Sequence, residues 1–207
     1  MTLWSGLRVS WQAFKTRRKM NRQFGKREDP FAYGATPYEA VRLEAMERAL
    51  GTAALEAALE VGCAEGHFTE RLLCRSAGVV AVDISAVALG RARKRAPAAV
   101  YVEADLLTWA PGAETRFDAV VLGDVLYYLD RPGIRPEFAA LFPRIASWLK
   151  PGGRLLLAHG FAGEKELAHR RSFRERFERA GLRLVAETIP PADRGGVRCL
   201  LSTLEKI

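Results

Sequence analysis

The stretch Ala57–Cys74, AALEVGCAEGHFTERLLC, restricts what this chain can fold into more than any other. Ala57–Val61 is a short run of small and apolar residues that ends at glycines. After Glu65, Phe68, Leu72 and Leu73 recur at helical spacing, so the stretch reads as strand, tight turn, helix. Gly62 and Gly66 lack a Cβ and let a nucleotide-sized ligand approach the main chain. Glu60 ends the strand and Glu65 opens the helix, where backbone N–H groups would otherwise attract an anion. A pyrophosphate is disfavoured there, and Ala64 stands where the dinucleotide fingerprint wants glycine. A nicotinamide or flavin reductase therefore fits poorly, and a ligand carrying positive charge fits better.

Asp83 closes a second apolar run, Gly78–Val82, at the place where a βαβ nucleotide site puts its ribose-binding carboxylate. With ALEVGCAEG, AVDIS and EADLL in succession, the chain resembles the class I S-adenosylmethionine-dependent methyltransferases. The resemblance implies a Rossmann-like, doubly wound α/β sheet of seven strands, mostly parallel with a C-terminal antiparallel hairpin; periodicity alone gives only an open α/β sheet. It also implies S-adenosylmethionine as cofactor. The turn (Gly62, Cys63, Ala64, Gly66) with Glu60 would hold its methionine end, Asp83 and the adjoining Ile84 its ribose, and Asp105 and Leu106 its adenine. Cys63 reads as a small apolar filler of the turn.

Upstream, DPFAYGATPYEAVRLEAMERALG reads as a loop and then a helix over Pro37–Leu50, with Thr36–Glu39 as a capping box and Gly51 as the stop. D-P-F-x-Y followed by P-Y-E looks like the opening of the nodulation protein S group, methyltransferases acting on an amine of a sugar oligomer. That resemblance makes Tyr33 and Arg42 lid residues over the cofactor and Tyr38 a substrate contact. The expected division is residues 1–28 as a basic amphipathic extension, 29–54 as the lid region and 55–207 as the core.

Strands are expected at Ala57–Val61, Val79–Asp83, Val100–Asp105, Phe117–Leu122 and Arg154–His159. A helix between Pro136 and Leu149 should stop at Lys150-Pro-Gly-Gly, another should run from Lys165 to Ala180, and Arg183–Ile189 and Arg198–Leu204 should pair as a hairpin. Strand four runs into Gly123-Asp124-Val125-Leu126-Tyr127-Tyr128 at the ligand edge. Gly123 is expected at the cofactor and Asp124 as base or amine ligand. Tyr127 and Tyr128 are expected as walls of the acceptor pocket that stack on a sugar ring or present a hydroxyl, Tyr127 as a catalytic candidate and Tyr128 as a substrate contact, with one of the two turned into the core. The family pattern often has glutamate at Asp124. His159, ending strand five, is a candidate general base.

Of the net charge of +8, all is accounted for by residues 1–27, which hold eight basic residues and no acid. Trp4, Leu7, Trp11 and Phe14 recur there at helical spacing. Such a segment suits packing of its aromatics on the domain with a solvated basic linker behind, or a membrane surface, or nucleic acid. No stretch is apolar enough to span a bilayer, no secretion signal is visible, and three cysteines without a ligand-pair spacing suit a reducing cytoplasm and no metal site. The sequence thus points to methyl transfer onto a nitrogen or oxygen of a small molecule, with an amino sugar or glycan foremost. The rivals are a methyltransferase recruited to RNA or ribonucleoprotein, and a cofactor-binding protein without turnover.

Overall fold

A computed structural model describes residues 3–207, with side chains from residue 8 onward. A seven-stranded sheet in the order β3-β2-β1-β4-β5-β7-β6 is built from β1 (Leu55–Val61), β2 (Ser76–Asp83), β3 (Val100–Glu103), β4 (Phe117–Gly123), β5 (Leu149–Phe161), β6 (Leu182–Thr188) and β7 (Arg198–Lys206). The first five strands are parallel, and β7 runs antiparallel between β5 and β6. This is the fold the resemblance implied. Because helices cover both faces, the central strands are nearly continuous apolar runs: Val120, Val121 and Leu122, and Leu155 to Ala158, are all buried.

The helices are α1 (Leu3–Lys26), α2 (Pro37–Ala49), α3 (His67–Leu73), α4 (Ala86–Arg95), α5 (Leu126–Leu129), α6 (Arg135–Ser147) and α7 (Glu164–Arg179). Phe138 and Phe142 of α6 meet Phe173 and Phe177 of α7 edge to face, closing one side of the core. No helix among the described residues is long and apolar enough to cross a membrane.

Three local expectations are corrected. The Lys150–Gly153 segment does not stop a helix: α6 has already ended at Ser147, and the segment lies inside β5, where Leu149 pairs with Phe117 and Arg154 with Ala119 across a register shift. A Cβ on Gly153 would stand 2.9 Å from the Lys150 carbonyl and 3.0 Å from that of Phe117, so glycine permits this kink. The helix after the turn opens at His67, not Glu65, with Gly66 as its left-handed cap. The capping box is only half made: Thr36 Oγ1 accepts from the Glu39 N–H at 3.3 Å, while the Glu39 carboxylate turns to Arg42.

The N-terminal segment is one helix, α1, continuous through the basic residues rather than a helix with a linker behind it. Trp11 and Phe14 do not pack on the domain; Val9, Met20 and Phe24 do. The side chains of Trp4 and Leu7 lie outside the described residues.

Candidate functional site

At the carboxyl ends of β1, β2 and β4 a cavity of about 240 Å³ opens, walled by the turn after β1, by α1, by the loop before α2, by α5 and by the β6–β7 loop. This is where a doubly wound sheet places a ligand, at the switch in strand order between β1 and β4.

The turn is shaped by backbone that few residues tolerate. Gly62, Ala64 and Gly66 have φ of 81°, 47° and 82°. A Cβ on Gly62 would stand 2.3 Å from Val125 Cγ2, and one on Gly66 would press on Ala92 of α4 at about 3.1 Å. Gly66 and Cys63 do not face the cavity: Gly66 serves helix packing, and Cys63 fills space behind the turn, its thiol pushed up by burial. The turn is tied to β2 by Asp83, whose Oδ2 accepts from the Ala64 N–H at 3.0 Å and Oδ1 from the Ser85 N–H at 2.8 Å. Asp83 lines the cavity with Ile84, and burial raises its carboxyl despite those bonds.

Glu65 is not at the ligand. Its carboxylate is buried, paired with Arg91 and accepting the Asp29 N–H at 2.8 Å, so it braces the pre-α2 loop. Asp29 Oδ1 and Oδ2 in turn accept from the Tyr33 and Gly34 N–H groups. Asp29, Glu65 and His67 bring their ligand atoms within 4.8 Å of one another, yet the two carboxylates are engaged by these N–H groups and by Arg91, so the cluster reads as a brace. What disfavours a pyrophosphate is the wall itself, which carries Glu39, Asp83, Asp105 and Asp124 against Arg194.

Asp105 and Leu106 line the cavity beyond β3. Asp105 Oδ1 accepts from Leu107 N–H at 2.7 Å, so it is a turn former that also faces the ligand space. Gly123 and Asp124 continue β4. Asp124 sits at φ 53°, with Oδ2 2.6 Å from Arg42 and Oδ1 accepting the Gly160 N–H at 2.7 Å. Arg42 is fully buried; its other amino group reaches Glu39 Oε2 at 3.0 Å. It stands behind the cavity wall and fixes two carboxylates in front of it.

Tyr127 and Tyr128 both line the cavity, their ring centroids 4.6 Å apart. Tyr127 also packs against the main core, as expected of one of the pair, while Tyr128 packs with Met20 and Phe24; both still reach the cavity because the backbone coils into α5 at Val125 and the strict alternation of an extended strand is lost. Tyr33 and Tyr38 complete the aromatic wall, and burial raises both phenols.

Glu60 and His159 do not face this cavity. Glu60 borders a smaller one of about 20 Å³ behind the turn, shared with Arg42, Cys63 and His67. It accepts from Thr69 Oγ1 at 2.5 Å and burial pushes its carboxyl up to about 7. His159 is buried between Tyr127 and Phe173, its Nε2 without a partner among the described residues, and burial lowers it to about 4. A ring so disposed is a neutral core residue rather than a base in contact with the cavity.

Sequence reasoning missed Glu39, Arg194 and the α1 wall of Thr16, Met20 and Phe24. Glu39 had a signal, its place beside Tyr38 in P-Y-E, but was read as a cap. Arg194 lies in a loop with no pattern.

The chain matches the family model of nodulation protein S (NodS) over residues 15–164. It is 32% identical over 141 residues to nodulation protein S of Rhizobium tropici, covering 66% of this chain and 57% of that protein. It is 36% identical over 101 residues to trans-aconitate 2-methyltransferase of Azoarcus sp. strain BH72, covering 48% and 37%. The chain therefore spans between about a third and three fifths of the length of these relatives. Its fold matches the crystal structure of N-methyltransferase NodS from Bradyrhizobium japonicum WM9 in complex with S-adenosyl-L-homocysteine, with a TM-score of 0.80, 24% identity and coverage of 92% of this chain and 98% of that one.

Proposed function

The chain belongs to the nodulation protein S family, and from that premise we propose that it uses S-adenosylmethionine to methylate an amine nitrogen of a small molecule, an amino sugar or short glycan being the leading class. The observation that carries this is the charge of the cavity wall, four carboxylates with Arg194 among them and Arg42 behind two of them, an excess of negative charge that suits a cationic cofactor and a cationic acceptor.

The residues fit the cofactor. Asp83 lines the cavity, and the backbone N–H groups that hold its carboxylate leave lone pairs that can accept from the ribose hydroxyls. Asp105 and Leu106 would receive the adenine, one polar and one apolar. Gly62, Ala64 and Gly123 give backbone approach, with Glu60 behind them near the methionine end. When bound, the cofactor supplies an electrophilic methyl on a sulfonium.

The chain's own part is placement and proton handling. Tyr33, Tyr38, Tyr127 and Tyr128 wall the acceptor space and exclude water from it. Asp124, held on both oxygens by Arg42 and Gly160, is a fixed negative charge that orients an ammonium. Glu39 shares Arg42 through Oε2, and its carboxyl is raised by burial, so Oε1 is the atom we assign to take the acceptor's proton. Three free cysteines suit a reducing compartment, and the cytoplasm is the setting we propose.

The test is calorimetric titration with S-adenosylmethionine, followed by turnover on glucosamine oligomers and on matched oligomers with the amine acetylated. Binding with methylation of the free amine alone is expected. Binding without turnover on amines or hydroxyls would leave a cofactor-binding protein, and no binding would remove the assignment altogether.

A further inference from the structure

Helix α1 is apolar on two opposite sides. Val9, Met20 and Phe24 are buried against the domain, and Met20 and Phe24 wall the cavity. Across the helix, Trp11 and Phe14 stand 60% and 59% exposed, an arrangement that inward packing does not explain. At 3.6 residues per turn these rings share an arc of about 120° with Arg8, Lys15, Arg18, Arg22 and Lys26. All five cations are exposed, and none of them is ion-paired among the described residues. The ion pair that α1 does make, Arg17 with Glu103, leaves from its flank. Lys15 Nζ lies 3.2 Å from the Trp11 ring centroid, so cation and ring are presented together.

We propose that this outer face lays the protein on an anionic lipid surface, with Trp11 and Phe14 entering the boundary between headgroups and acyl chains and the cations on lipid phosphates. A basic helix face with aromatic residues at its centre is what such a boundary binds. Nucleic acid suits the face less well. Single-stranded bases stack on aromatics set in a groove that tracks the backbone, whereas these rings stand on the convex ridge of one helix. Attachment by this face brings a wall of the cavity within about one helix diameter, ~10 Å, of the lipid. An acceptor carried at a membrane surface would then be within reach of the site.

The experiment is sedimentation of the full chain with vesicles of mixed phosphatidylglycerol and phosphatidylcholine, and with vesicles of phosphatidylcholine alone. Pelleting with the anionic vesicles, weak or absent with the zwitterionic ones and reduced by about tenfold or more in the double variant Trp11→Ser, Phe14→Ser, is the expected result. Both rings are exposed, so this variant should keep the wild-type melting temperature, and a second variant, Arg18→Glu with Arg22→Glu, should lose binding by the charge route. The proposal is overturned if anionic vesicles do not pellet the chain, or if pelleting survives loss of both rings. Tighter binding to a single-stranded RNA oligonucleotide than to anionic vesicles, abolished by the same aromatic variant, would also overturn it in favour of a nucleic-acid face.

Discussion

Asp124 occupies a left-handed backbone conformation that costs a non-glycine residue roughly 1 kcal/mol or more, and its carboxylate is the external partner of a fully buried arginine. Removing that carboxylate leaves Arg42 with Glu39 as counter-ion and a long bond to the Ala158 carbonyl at 3.4 Å. Asp124→Ala is therefore expected to lower stability by about 3 kcal/mol in urea denaturation as well as turnover, because a buried charge loses its counter-ion. Asp83→Ala should weaken S-adenosylmethionine binding by tenfold or more in calorimetry, since a carboxylate that can accept from two hydroxyls is lost, about 1.5 kcal/mol or more. Glu39→Gln should lower kcat with little change in cofactor affinity and shift the acid limb of the kcat profile; an unchanged profile would remove Glu39 as proton acceptor. Carboxylates at strand ends were legible in the sequence because strand ends can be counted. Arg194 was not, because its partner Phe31 lies 163 residues away, and Glu39 was hidden by its position in a capping motif, which explains an acid there without any ligand.

At the scale of elements, the turn after β1 and the start of α5 are one packed unit. Gly62 is glycine because Val125 and the Gly123 carbonyl occupy the space of its Cβ, not only because a ligand approaches. Gly62→Ala should cost about 2–4 kcal/mol from overpacking and positive φ together, and Val125→Ala in the same chain should recover part of it, as read from denaturation midpoints. The strands of the sheet were legible from apolar runs between glycines and prolines. Two departures have physical causes that periodicity does not carry: a glycine kink kept Lys150–Gly153 within β5, and the coil into α5 brought both tyrosines to the cavity, Tyr127 while still packed on the core.

Over the whole molecule, burial of His159 links fold to pH. Its folded value near 4 lies below the ordinary 6.5, so the unfolded chain binds the proton more readily. The stability gained by keeping this ring neutral is full above about 6.5 and is lost as pH falls toward 4, by about 3 kcal/mol in all. A melting temperature that falls over this window in the wild type, and less in His159→Gln, is the expected result. At the cavity rim, Arg194 in the β6–β7 loop donates to the Phe31 carbonyl at 2.6 Å from an exposed position, so two distant parts of the chain meet there. Segments 163 residues apart are thus joined over part of the cavity rim by one solvent-facing hydrogen bond, so the exchange rate of a bound ligand is expected to depend on this loop as well as on the cradle beneath it.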